Sequence, residues 1–215
     1  MHKESDTGVL TDVSTDSSRE PESVSGVTIG VDVGGTKIAA GVVDGHGSIL
    51  RTARRPTPRH DSSAVLAEVA DVVNELQAGV DGTVIGVGVG VAGGVDQSRS
   101  LVYFAPNLAW THVPVRTVLE AATGLACVVE NDGAAAAWAE TRFGAGVGLE
   151  HVVMVTVGTG IGGGIVVDGR VLRGAHGVAA EIGHFNAVPN GRLCGCGRTG
   201  CWEQYASGNA LVREA

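Results

Sequence analysis

Hydrophobic positions along this chain change period several times, and each change marks a predicted element. Residues 27–50, VTIGVDVGGTKIAAGVVDGHGSIL, alternate apolar and small or polar residues. That pattern predicts a strand, a glycine turn, a second strand, a DG turn and a third strand. The period then becomes helical. In SSAVLAEVADVVNELQAG, residues Val65, Leu66, Val69, Val72, Val73 and Leu76 share one face, and Gly79 suits the C-cap. TVIGVGVGVAGGVD predicts a buried strand entering a glycine loop, FAPNLAW an ordered loop, and VPVRTVLEAATG a helix beginning at Pro114. LACVVEND predicts a strand, followed by an alanine-rich helix around Ala134 to Arg142. HVVMVTVGTGIGGGIVVDGRVL repeats the strand–glycine–strand pattern, and another helix begins after Ser207. Strands alternating with helices predict an α/β fold.

The repetition can be counted. Residues 31–45 align without gaps with residues 155–169, identical at seven of fifteen positions, and both copies end in VVDG. One glycine hairpin used twice predicts two related lobes facing a cleft, suited to gripping a polyphosphate from both sides.

Charge adds an N-terminal feature. Formal net charge is −8, and residues 1–26 hold six acids against Lys3 and Arg19. That Ser/Asp/Glu-rich stretch predicts a disordered acidic tail, followed by an N-terminal α/β lobe over 27–130 and a second over 131–215. An acidic balance disfavours nucleic acid as a partner. No apolar run is long enough for a membrane span and MHKESDTGVL has no signal-peptide core, so the expected location is cytoplasmic, where thiols stay reduced.

Candidate chemistry lies in the turns. In DVGGTK, glycine N–H groups approach phosphate oxygens freely; Thr36 adds a hydroxyl, Lys37 a cation, and Asp32 can act through a magnesium-bound water. Thr156 and Thr159 play similar parts in TVGTGIGGG. The plain alternative is two hairpin turns in a glycine-rich protein. At CVVENDGAAAAW a strand meets a helix at Asn131 and Asp132. Helix capping alone accounts for them; the functional alternative is a carboxylate positioned as a base at a helix N-terminus.

Four metal-type ligands lie at His184, Cys194, Cys196 and Cys201. Cys3His is an ordinary tetrahedral zinc set, although C-x-C differs from the usual C-x2-C knuckle. Cys194 and Cys196 are too cramped for an easy disulfide, and a C-x-x-C redox pair is absent. Zinc would also fix Glu181 and Glu203, which stand beside the ligands and suit a polyhydroxylated molecule; the alternative is two solvated surface acids. Cys127 reads as a small buried hydrophobe.

Taken together, DVGGTK, FAPNLAW, END at 130–132, TVGTGIGGG, EIGH at 181–184 and CGCGRTGCWE resemble the ROK family of repressors and sugar kinases, most closely its bacterial, actinobacterial-type glucokinases. The resemblance runs from about Val27 to the end. It implies an actin-like ATPase (ribonuclease H-like) fold, two α/β lobes around a cleft, and ATP-dependent phosphorylation of glucose at its 6-hydroxyl. It implies Asp132 as catalytic base, with Asn107, Asn131, Glu181, His184 and Glu203 as sugar ligands. Asp32, Gly34, Gly35, Thr36 and Lys37, with Thr156, Gly158, Thr159 and Gly160, match the segments that bind ATP with Mg²⁺. His184, Cys194, Cys196 and Cys201 match a structural Zn²⁺ site. Gly93 and Gly94 stand where many relatives have proline and glycine. Relatives continue well past LVREA, so the expectation is a second lobe that is incomplete here and a homo-oligomer, dimer or tetramer, at full length. Other hexoses (fructose, mannose, N-acetylmannosamine), an inactive sugar-binding remnant and a sugar-responsive repressor are the alternatives. Residues 1–26 are too short and acidic for the repressors' helix-turn-helix.

Overall fold

The computed structural model describes residues 26–58 and 61–215. The expected acidic tail lies outside the described residues, apart from Gly26. In chain order the elements are β1 (Val27–Val33), β2 (Lys37–Val43), β3 (Ile49–Pro56), α1 (Ser62–Ala78), β4 (Val84–Val91), β5 (Gly94–Val95), β6 (Val102–Ala105), β7 (Trp110–Val113), α2 (Val115–Thr123), β8 (Cys127–Asn131), α3 (Asp132–Phe143), β9 (Val152–Val157), β10 (Ile161–Val167), β11 (Arg170–Val171), α4 (Glu203–Ala206) and α5 (Gly208–Glu214). The α/β expectation holds.

Among the described residues, a five-stranded sheet has the order β3-β2-β1-β4-β8, with β1, β2 and β3 antiparallel and β1, β4 and β8 parallel. Its apolar face is covered by α1, whose predicted stripe is buried at every position: Val65, Leu66, Val69, Val72, Val73 and Leu76. Asp61 starts that helix by accepting from the Ser63 and Ala64 N–H groups at 2.9 and 3.2 Å. Gly79 caps its end, but with φ −95° rather than in the left-handed region. Pro114 is the N-cap of α2 and the helix begins one residue later.

FAPNLAW is not a plain loop. β6 and β7 pair antiparallel through a short 3₁₀ turn at Pro106–Leu108, with Trp110 fully buried. Each strand has only four residues and each shows a buried–exposed–exposed–buried pattern, so alternation never reads out in the sequence.

The repeat is real in outline and differs in detail. β9, β10 and β11 form a second antiparallel meander, order β11-β10-β9, matching β1, β2 and β3. Val33 pairs with Ile38 across four turn residues, whereas Val157 pairs with Ile161 across three. The second hairpin is therefore one residue tighter than the ungapped alignment implies. The two VVDG ends diverge as well: Asp168 and Gly169 both have positive φ (50° and 68°), the signature of a two-residue type I′ turn. After Asp44 the first copy takes a longer path, closed by Asp44 N–H to Ser48 O at 3.1 Å.

Burial separates the copies further. Ile29, Val31 and Val33 are 0%, 3% and 1% exposed, whereas their equivalents Val153, Val155 and Val157 are 66%, 42% and 65% exposed. Helix α3 covers only the opposite face of the small sheet. Ile29→Ala is thus expected to cost about 2–5 kcal/mol, and Val153→Ala less than about 1 kcal/mol. Urea unfolding of the two variants checks this, and equal losses would contradict it.

Candidate functional site

The DVGGTK turn is fastened at its base. Thr57 donates its hydroxyl to Gly34 O at 2.6 Å and its N–H to Thr36 O at 3.1 Å. Gly35 backs onto the β6–β7 hairpin, where a Cβ would stand 2.9 Å from the Asn107 carbonyl oxygen. Only glycine allows that approach, and it puts Asn107 beside the turn. Thr36 and Lys37 project into solvent.

At the END junction the two roles separate. Asn131 is the N-cap of α3: its Oδ1 accepts from Ala134 N–H at 3.0 Å, and its Nδ2 donates to Gly93 O at 3.2 Å. Asp132 is the first helical residue and is exposed, bonded only to its neighbour's N–H (Gly133, 2.9 Å). Because Asn131 does the capping, the Asp132 carboxylate is left at the positive end of the helix with capacity to accept a proton. Gly133 lets this first turn lie against β10, since a Cβ there would meet Gly163 O at 2.5 Å.

Asp32 feels Asp132. Its carboxyl is raised above the usual 3.8, first by burial and then by the Asp132 charge, with Lys37 opposing. The sign of the stability effect follows. Between 3.8 and the raised value, the folded state holds a proton that the unfolded state has lost, so stability falls as pH rises through that window. Asp32→Asn removes the loss: its Tm at pH 7 is expected above that of the parent, with the gain gone at about pH 3. A calorimetric scan at both pH values checks it; a gain that persists in acid would contradict it.

Glu181 is raised from 4.5 by burial, with Asp132 and Glu203 pushing in the same direction and His184 opposing. Its perturbers are the other candidate ligands, so segments distant in sequence, at 132, 181–184 and 203, lie near enough for their charges to be felt at Glu181. Glu181 precedes a 3₁₀ turn (Ile182–His184) that sets the spacing. Glu203 opens α4; its Oε2 accepts from Ile161 N–H at 3.0 Å and lies against Gly160 of the second glycine turn. That turn is also held by α5, through Gly208 N–H to Gly158 O at 2.7 Å and Asn209 N–H to Thr159 O at 3.3 Å. Thr156 sits on β9 opposite Gly162, where a Cβ would approach its Oγ1 to 2.9 Å. A cavity of about 300 Å³ opens between Asn107, Thr159, Gly160 and Glu203, bordered by Gln204, Ser207, Asn209 and Arg213. Asp132 and Glu181 lie outside its lining, and a larger hollow of about 390 Å³ beside His184 and Cys201 contains no carboxylate. Nothing local in the sequence marks the four bordering residues, because α4 and α5 meet the glycine turn only through tertiary contacts.

The ligand atoms of His184, Cys194, Cys196 and Cys201 lie within 4.8 Å of one another. His184 Nδ1 is 3.6 Å from Cys194 Sγ, and Cys196 Sγ is 3.6 Å from Cys201 Sγ. Tetrahedral zinc, with bonds of about 2.3 Å to sulfur and 2.0–2.1 Å to nitrogen, needs neighbouring donors about 3.6–3.8 Å apart. The set fits. With Nδ1 turned inward, Nε2 of His184 is the ring nitrogen left outside the cluster. Backbone bonds already shape the knuckle: Cys194 N–H to Arg198 O, Gly197 N–H to Cys194 O and Gly200 N–H to Arg192 O. Cys127 is separate, 3% exposed on β8, its thiol pushed up to about 11 by burial. Among the described residues no helix is long and apolar enough to cross a membrane.

The ROK family profile matches residues 28–215. Glucokinase of Streptomyces coelicolor is 54% identical over 190 residues, covering 88% of this chain and 59% of its own length. A Streptomyces griseus ROK glucokinase, solved with glucose and AMPPNP, is 53% identical with TM-score 0.80, covering 87% of this chain and 59% of its own. ROK hexokinase from Thermus thermophilus is 41% identical with TM-score 0.77, covering 87% and 62%. The chain thus spans about three-fifths of the length of these relatives, and their actin-like ATPase fold is shared over that span.

Proposed function

The chain belongs to the ROK family, and on that premise we propose that it serves ATP-dependent phosphorylation of glucose at the 6-hydroxyl. The observation carrying this reading is that Glu203 lines a cavity with Asn107 and the second glycine turn, and that Glu181 feels the charges of Asp132, His184 and Glu203. Asp132 accepts the proton of the attacking hydroxyl, from its place in the first turn of α3. Glu181, Glu203 and His184 Nε2, with Asn107, hold the other ring hydroxyls and fix which one faces Asp132. Asn131 keeps the helix start in place, and its side-chain amide shares its bonds with the sugar.

Gly35 and Gly160 present N–H groups to the nucleotide phosphates, while the Gly34 and Gly158 N–H groups close the two turns on Lys37 O and Gly160 O at 3.0 and 2.9 Å; Thr36, Thr156 and Thr159 add hydroxyls and Lys37 a charge. Asp32 would hold Mg²⁺ here, and that ion, when bound, would neutralise phosphoryl charge. His184, Cys194, Cys196 and Cys201 would hold Zn²⁺, which when bound would make the segments bearing Glu181 and Glu203 rigid.

A coupled ATP-turnover assay of the purified chain against glucose, fructose, mannose and N-acetylmannosamine tests the reading, with the phosphorylated position identified by NMR. Glucose is expected to be the best substrate, modified at O6. Preference for another hexose would overturn the substrate assignment, and no turnover with any would overturn the activity for this chain.

A further inference from the structure

Glu130 is 9% exposed at the end of β8, two residues before Asp132. A carboxylate so buried is costly unless paired and hydrogen-bonded. Its Oε2 accepts from Arg173 Nε at 2.9 Å and Nη2 at 2.6 Å, and its Oε1 accepts from the Asn131 backbone N–H at 3.2 Å. Arg99 Nε stands 3.4 Å from the same Oε2. Arg173 belongs to the other sheet, just after β11. Its guanidinium therefore crosses from the small sheet to the strand that ends in the candidate base.

The backbone of Arg173 reaches toward the other candidate ligand segment. Its carbonyl accepts from Ala179 N–H at 3.1 Å, closing the loop 173–179 two residues before Glu181. That loop is docked on the segment after β5, where Gln97 Nε2 donates to Gly174 O at 3.1 Å and Ala175 O at 2.7 Å. Gly177, at φ +72°, lies so close to the Val95 carbonyl that a Cβ would collide with it. The loop thus has two attachments, one through Gln97 and one through Arg173.

We propose that Arg173 is a positioning residue that couples the Asp132 segment to the Glu181 segment. Its side chain sets Glu130, which holds the Asn131 N–H, while its carbonyl anchors the loop leading into Glu181. Its consequence for sugar rests on the kinase reading; the coupling itself does not. The planar guanidinium makes two bonds to one oxygen, which a lysine ammonium cannot reproduce from the same place. Arg99 remains to neutralise Glu130 when Arg173 is replaced, so the variants are expected to fold.

Hydrogen-exchange mass spectrometry on the unmodified chain, Arg173→Met and Arg173→Lys tests this. Amides in 131–134 and in 179–184 are expected to exchange together at least about tenfold faster in Arg173→Met, less in Arg173→Lys, with β1 to β4 unchanged. Glu130→Gln should accelerate the same two segments, which gives a second route should Arg173→Met fold poorly. Change in one segment alone, in neither, or uniformly along the chain would overturn the proposal. Glucose affinity of Arg173→Met, by titration, is expected to fall at least about tenfold, with partial recovery in Arg173→Lys; unchanged affinity would overturn the link to sugar. If the unmodified chain binds no glucose, the kinase reading fails while the exchange data still decide the coupling.

Discussion

Asp132→Asn is expected to lower turnover by about 10²–10⁴-fold while leaving glucose affinity within about threefold. The split follows from the geometry. Asn131 makes the capping bond to Ala134 N–H, and among the described residues the Asp132 side chain hydrogen-bonds only the N–H of Gly133. Asparagine can keep that contact through its carbonyl oxygen, so helix α3 and the neighbouring residues should stay in place. What it cannot do is accept the hydroxyl proton. Loss of neighbouring negative charge also relaxes Asp32 and Glu181, both raised in part by Asp132, so the variant should melt no lower than the parent. Steady-state kinetics with glucose titration measures both halves. Turnover within tenfold of the parent would remove Asp132 from the role of base.

Cys196→Ser is expected to release zinc and to weaken glucose binding at least about tenfold. Cys196 is the exposed member of the cluster, whereas Cys194 and Cys201 are 3% and 1% exposed. Serine at 196 therefore removes a ligand without opening a cavity in the core. The knuckle keeps its backbone bonds, and Phe185 still packs on Trp202 with ring centroids 5.3 Å apart. The effect should accordingly be loosening rather than unfolding. It would reach the proposed sugar ligands because His184 is three residues after Glu181 and Cys201 two before Glu203. Metal analysis beside glucose titration checks it. A metal-free variant with unchanged affinity would break the link between cluster and sugar.

Where the pattern was long, it was legible. Six apolar positions of α1 at helical spacing are all buried, and the glycine hairpins fall where strand alternation breaks. The β6–β7 hairpin was not legible, since four-residue strands around Pro106 carry too little alternation. The repeat predicted a second glycine hairpin, which β9 and β10 form, but its register depends on a turn one residue shorter, and the exposure of Val153 and Val157 depends on what packs there rather than on their identity. The cysteine–histidine cluster could be read because its ligands are rare residues close together. That Asn131 caps while Asp132 stays free required backbone geometry, because either residue type suits either place. Arg173 carried no signal at all: its partner Glu130 lies 43 residues earlier, and only the docking of two sheets joins them.

The most direct measurement is a calorimetric titration of glucose into the unmodified chain and into Asp132→Asn. The proposed sugar ligands, acting independently of the base, predict saturable binding in both, one glucose per chain, with affinities within about threefold. A flat titration of the unmodified chain, or binding that vanishes in Asp132→Asn, would contradict it.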